Sequence, residues 1–461
     1  MALIQIDDVV PLADGSDHIA GASVEVPTEQ TATDLWWLQI SGWVVGHEAP
    51  VSSVEVVHQH AAVRSVPVDI ERLDVAWAHP DLPGAERSGF RVRVGGAWLP
   101  DSFVLRLEAG FENGHRVPFA LIRGHRSRLA LALAQAGVIQ PISVTGLGRS
   151  GSTLVMGMLR RHPEVIVHGG HPFATRPAAY WTHMFRVLAE PADSIASASA
   201  ESFDSRLGWV GAHPMNDAPA TDSPELATWL GTDYVQGLAD FCRRSTSGFY
   251  SSAAAAAGIT EPRFFAEKLE PGDMARTHAS LYPAGREILL VRDFRDMACS
   301  MLAFHDKSGR ISYGRDLVST DEDFVVALAP SVARLASYVR ERETAGLVVR
   351  YEDLVTRPGE TLAGILTHAG LSSDAALRRE MVSSATDDTA ELAAHRTTST
   401  GEESVGRFRN DMSDELLEAA EDAFGPALAM FDYPLGRGKS KAAGARKAAA
   451  RRRAAQSIAL T

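Results

Sequence analysis

From Leu35 to about Ile122 apolar and polar residues alternate in short runs, WWLQISGWVV, VSSVEVVHQ, FRVRV and FVLRLEAGF, separated by Gly, Pro and Asp. Successive side chains of a strand point to opposite faces, so this period predicts half-buried antiparallel strands. The expectation is a small all-β sandwich over residues 1–130, followed by a few linker residues and a short helical run near Arg128 to Gln135.

The period changes at Pro141. PISVTG predicts a strand, STLVMGMLRRH pairs Leu154 with Met158 and Val155 with Leu159 at helical spacing, and VIVHGG predicts a second strand. EILLVRD and GLVVRYEDL predict further strands, each followed by a helical pattern. Strand–helix–strand units of this kind predict an α/β domain with a largely parallel sheet flanked by helices, here over residues 138–435. A stretch rich in Ser, Ala, Asp and Pro at about 191–258 predicts a helical insertion placed to act as a substrate lid. Residues 436–461 hold eight Lys or Arg and no acid in an Ala-rich background, which predicts a disordered, solvated tail or one that meets an anionic partner.

Composition narrows the functional classes. The 461 residues carry 45 Lys plus Arg against 58 Asp plus Glu, a net charge of −13, the wrong sign for a protein that coats nucleic acid. Any basic site must be local. Two cysteines, Cys242 and Cys299, cannot supply a disulfide framework, which points to a reducing compartment. The start MALIQIDDVVPLADG has acids where a secretory signal needs basic residues, and no run approaches the roughly 18 apolar residues of a membrane span. A cytoplasmic protein without a membrane span is expected.

GLGRSGST, Gly146 to Thr153, stands between a predicted strand and a predicted helix, the context a phosphate loop requires. Where a nucleoside triphosphate loop carries lysine, this chain has Ser152. That loss argues against ATP or GTP hydrolysis, and Arg149 instead offers a planar cation for phosphate or sulfate oxygens.

GLGRSGSTLVMGMLRRHPEV resembles the 5′-phosphosulfate loop of the P-loop sulfotransferases, which take sulfuryl from 3′-phosphoadenosine 5′-phosphosulfate (PAPS), and is most similar to their tyrosylprotein-type and bacterial members. The resemblance implies that Arg149, Ser150, Gly151, Ser152 and Thr153 hold the donor. EILLVRDFRDMACSMLAF places Arg292 at a strand end and Ser300 eight residues on, similar to the family's 3′-phosphate motif. Arg295 joins it or simply pairs with Asp293 or Asp296. Two separated cationic positions, one at each end of the nucleotide, are therefore expected. HRTTSTGEESVGRFRND resembles the loop that closes over the nucleotide, with Arg407 the better phosphate candidate and Arg409 the other. Glu352 and Asp353, in the segment between, are expected to cap or pair.

FFAEKLEP is similar to the family's Lys-x-Pro segment and implies that Lys268 steadies the bridging oxygen, although Leu269 and Glu270 stand before Pro271. Tyrosylprotein-type relatives carry a glutamate where this chain has Gly169 and Gly170, so His171 is the nearest candidate base, with His168 or a base elsewhere as alternatives. Arg176 contacts acceptor or cofactor, or only solvent. No metal is demanded.

The resulting expectation is a PAPS-dependent sulfotransferase acting on a hydroxyl or amine of a carbohydrate or small metabolite, with catalytic His171, Lys268 and Arg149. A catalytically silent nucleotide- or carbohydrate-binding protein and a P-loop kinase are the alternatives, and a homo-oligomer is compatible with either. The front module resembles β-sandwich segments that precede bacterial transferase domains, in ISGWVVG and SGFRVRV. Trp36, Trp37 and Trp43 there are either core or sugar-binding.

Overall fold

The computed structural model describes residues 2–12, 18–58, 61–131, 137–189, 223–309, 313–386 and 396–435. The chain divides into two compact units: Met1–Leu133 with Tyr180–Ser245 and Arg276–Pro283, and Ala134–Ala179 with Thr246–Ala275 and Ala284–Thr461. The tail at 436–461, and residues 191–222 of the expected insertion, lie outside the described residues.

The first unit contains β1 (Ile4–Pro11), β2 (Ile19–Val26), β3 (Ala32–Thr33), β4 (Trp37–Gly46), β5 (Ser53–His58), β6 (Ala61–Pro67), β7 (Gly89–Gly95), β8 (Ser102–Gly110) and β9 (Arg116–Arg126). They form two antiparallel sheets, ordered β3-β1-β9-β8-β5-β6 and β2-β4-β7. Alternation decides what each strand buries. Phe103, Leu105 and Leu107 of β8 and Ile40, Val92 and Val94 of β4 and β7 enter one shared apolar core. Each such side chain contributes roughly 1.5–3 kcal/mol relative to exposure. β1 and β2 precede the region where alternation predicts strands; Ile4 and Ile6 alternate with exposed Gln5 and Asp7 over too few residues to stand out. Of the short helix expected near Arg128 to Gln135, Arg128–Leu131 is irregular and the remainder lies outside the described residues. Leu129 and Leu131, two apart, are both buried, which an extended chain achieves and a helix does not.

The second unit is built on five parallel strands, β10 (Gln140–Thr145), β11 (Val165–Ile166), β12 (Phe264–Leu269), β13 (Arg286–Val291) and β14 (Gly346–Arg350), ordered β11-β12-β10-β13-β14. Both faces are covered, as a parallel sheet requires. Ile288 and Leu290 of β13 join an apolar cluster with helices Ser152–Leu159, Pro358–Ala369 and Ala375–Thr386. Leu289 and Val291, pointing the other way, join one with helices Phe294–Ser308, Asp321–Arg342 and Asp414–Met430. β10 and β13 are hydrogen-bonded neighbours, so the turns leaving their carboxyl ends lie side by side, the place where open α/β sheets bind ligands.

Candidate functional site

The turn after β10 is shaped by side chains packed against it. Gly151 takes φ +95°, and a β-carbon there would sit 2.6 Å from the Tyr351 ring; one at Gly148 would sit 2.7 Å from Tyr313. Only glycine fits both places. Ser150, 1% exposed, donates its hydroxyl to Leu147 O at 2.7 Å, so it braces the loop instead of facing a ligand. Ser152 and Thr153 open the following helix, where the first N–H groups have no intrahelical acceptor and favour an anion.

The loop and the second motif are linked by a side-chain contact. Arg149 Nε donates to Ser300 Oγ at 3.0 Å, so the loop and the second motif meet. The cause is the adjacency of β10 and β13. Ser300 Oγ lies 3.3 Å from Thr397 Oγ1, which accepts from Arg407 Nη1 at 2.8 Å. Arg292, 3% exposed, donates to Arg149 O and Ser404 O, both at 2.8 Å, and stacks 4.2 Å over the Tyr351 ring. Its Nε has no partner, and among the described residues no carboxylate lies within ion-pair reach of it. Burial, and the like charges of Arg292 and Arg407, pull the Arg149 guanidinium below its ordinary value. Three guanidiniums this close, with Asp411 on Arg407 at 2.6 Å as a counter-charge, make a pocket suited to an anion.

Lys268 stands on the other side of the loop. Its ammonium donates to Thr153 Oγ1 at 2.7 Å and to Pro172 O. Burial first, then Arg176 and Arg149, pull it down to about 8. The contact with Pro172 brings the connection carrying His171 to the same place. His171 is half-buried and meets Phe173 edge-on at 5.9 Å, while His168 meets Phe249 at 4.8 Å. Glu267, the neighbour of Lys268, is 1% exposed and accepts from Ala178 N at 2.6 Å, Ala179 N at 3.1 Å and the Tyr250 hydroxyl at 2.5 Å. Burial pushes its carboxyl up to about 7 against the pull of those donors.

The model of the sulfotransferase family matches residues 141–375, which include the loop, Lys268, Arg292 and Ser300. The chain belongs to the sulfotransferase family. No curated protein matches it. Among solved structures it is similar to the sulfotransferase domain from the curacin biosynthetic pathway, at 15% identity over 65% of this chain and 99% of that one, with a TM-score of 0.37. It is also similar to sulfotransferase STF9 from Mycobacterium avium, at 16% identity over 65% and 79% of the two chains, TM-score 0.32. Mouse sulfotransferase SULT7A1 complexed with PAP matches at 10% identity over 69% and 89%, TM-score 0.35.

Other charged residues of this sulfotransferase have structural tasks. Arg295 is bound by Asp293 at 2.7 Å and Glu421 at 2.6 Å and lies 3.9 Å over Phe408. Asp296 accepts from Gly406 N at 2.6 Å and Phe408 N at 3.0 Å, which fixes the turn that carries Arg407. Glu352 accepts from Asp293 N at 3.0 Å and from the Tyr433 hydroxyl at 2.8 Å, and Asp353 holds Arg357 at 2.7 Å, as capping and pairing residues. Arg409 is exposed; Arg176 pairs with Glu270 at 3.8 Å, and its charge also reaches Lys268. Tyr313, Tyr351, Thr397 and Ser404 do join it, and no spacing pattern singles them out. In the first unit Trp36 and Trp37 are buried, which removes them as sugar platforms; Trp43 is half-buried against His79.

Among the described residues no cluster of His, Cys, Asp or Glu is arranged to hold a metal, and no helix is long and apolar enough to cross a membrane.

Proposed function

We propose that this sulfotransferase takes its sulfuryl group from PAPS and passes it to a hydroxyl or amine of a carbohydrate or small metabolite. The observation that carries the donor assignment is Arg292: a buried guanidinium with an unpartnered Nε and, among the described residues, no carboxylate in ion-pair contact, next to Ser300, Thr397 and Arg407. A buried charge with no carboxylate in direct contact is costly unless a ligand supplies a counter-charge. The donor carries anions at its 3′ and 5′ ends, and the residues present fit it: Arg292, Ser300 and Arg407 would hold the 3′-phosphate, and Arg149, Ser152, Thr153 and the helix N-terminus the 5′ end.

When bound, the donor supplies a sulfuryl group on a phosphosulfate anhydride. Lys268, anchored on Thr153, would set positive charge against the bridging oxygen, which gains negative charge as its bond to sulfur breaks. His171 is proposed as the base that takes the acceptor proton, with His168 the runner-up, because Lys268 grips the carbonyl of the residue that follows His171. The front module over 1–130 is read as a two-sheet sandwich, because both its sheets feed one core. Two free, buried cysteines support a reducing, cytoplasmic setting.

The deciding experiment incubates the protein with PAPS and fractionated small-molecule and carbohydrate extracts in EDTA, and looks by mass spectrometry for products heavier by one sulfuryl group. Sulfated products are expected. Binding of adenosine 3′,5′-bisphosphate (PAP) without any sulfated product would leave a silent nucleotide-binding protein, and absence of PAP binding would end the donor assignment.

A further inference from the structure

We infer that Glu267 is a positioning residue, which together with Tyr250 holds the Ala178–Ala179 end of the 168–179 connection while its neighbour Lys268 holds the connection at Pro172. The inference rests on the proposed roles of Lys268 and His171. Successive side chains of a strand point to opposite faces. Lys268 therefore meets the connection on one face of β12, at Pro172 O, and Glu267 meets it on the other, at Ala178 N and Ala179 N. The connection straddles the strand and is tied down on both sides.

The sequence explains why a strand residue has this task. Helix Pro177–Ala189 begins with a proline, which has no N–H, after Arg176. A guanidinium cannot accept a hydrogen bond, so the usual capping by the preceding side chain is impossible here. The first free N–H groups, of Ala178 and Ala179, must find an acceptor elsewhere, and the helix N-terminus favours a negative one. Glu267 supplies both oxygens. Its position is set in turn by the Tyr250 hydroxyl at 2.5 Å, with the Tyr250 ring stacked on Phe265 at 4.1 Å. The buried carboxylate is otherwise without a task in the chemistry. It faces away from Lys268 and is 1% exposed, so it does not meet the acceptor.

The test compares Tyr250→Phe and Glu267→Gln with the wild-type full chain. Glutamine keeps the shape but turns one acceptor into a donor aimed at an N–H; phenylalanine removes one donor and leaves the packing. Hydrogen exchange of residues 168–176 should accelerate about tenfold in both variants, while helix Asp321–Arg342 stays within about twofold. PAP affinity by calorimetry should stay within about threefold, because Arg292 and Ser300 are untouched. Transfer of sulfuryl from 4-nitrophenyl sulfate to PAP should fall about tenfold at saturating PAP. Exchange that rises everywhere, or nowhere, would overturn the inference. If Glu267→Gln does not fold, Tyr250→Phe decides; if the wild type does not use 4-nitrophenyl sulfate, exchange decides. Failure of the wild type to bind PAP would refute the donor assignment while leaving the exchange result to judge this one.

Discussion

Arg292 and Arg295 are three residues apart, both almost fully buried, and opposite in their surroundings. Arg295 is held between Asp293 and Glu421 at 2.7 and 2.6 Å. Arg292 touches two carbonyl oxygens and an aromatic ring, with no carboxylate. The chain thus completes one arginine internally and leaves the other to be completed from outside. Burial alone does not mark a binding residue; burial without a directly paired carboxylate does.

The comparison predicts that the two arginines fail in different ways. Arg295→Ala removes the guanidinium that pairs buried Asp293 and half-buried Glu421, and the loss of stability should be about 3–5 kcal/mol by chemical denaturation. If it costs under about 1 kcal/mol, the ion-pair cluster is not what holds helix Phe294–Ser308 to Asp414–Met430. Lys268 belongs with Arg292 on the side that lacks carboxylates. Lys268→Ala should slow transfer by about 100-fold or more with little change in stability. Its charge is complete below about 8 and is lost as pH rises through that value. The kcat/KM for donor should therefore fall above about pH 8, and the limb in kcat should lie higher, because a bound anion favours the charged form. A flat profile from pH 7 to about 10 would remove Lys268 from the chemistry.

Arg292→Ala removes a charge from an anion site and strands none. PAP binding should weaken about 10- to 100-fold, with a stability loss of only about 1–2 kcal/mol. Arg292→Lys should fall between, keeping charge but losing the planar fork that reaches Arg149 O and Ser404 O together. Equal damage to binding from Arg292→Ala and Arg295→Ala would break the comparison.

How much of this the sequence carried follows from the range of the interactions. The loop at Gly146–Thr153, the strands β10, β13 and β14, and the Arg292/Ser300 spacing were legible because each is set within about ten residues of chain. β12 was not: Glu267 and Lys268 interrupt its apolar run, and what makes them tolerable there, Tyr250, Ala178 and Thr153, lies 17, 89 and 115 residues away. The contact of Arg149 with Ser300 was hidden for the same reason, since it depends on which strands neighbour one another. The part Tyr313 and Tyr351 play shows only as the space that Gly148 and Gly151 must leave.

The smallest effect expected is at Thr397, and it is the sharpest test of how the pocket is organised. Its hydroxyl is the only link described between Ser300, at 3.3 Å, and Arg407, at 2.8 Å, and it lies outside the span matched by the family model. Thr397→Val keeps shape and removes that link without touching charge. Arg407 retains Asp411, and Ser300 retains Arg149, so each guanidinium stays oriented by one partner. PAP affinity should drop by a few-fold, because each guanidinium keeps its other partner when this charge-assisted bond is lost, and stability should hardly move. A loss as large as that of Arg292→Ala would mean that the anion site depends on the order of the 396–407 segment more than on Arg292, and that the asymmetry between the two arginines is secondary to it.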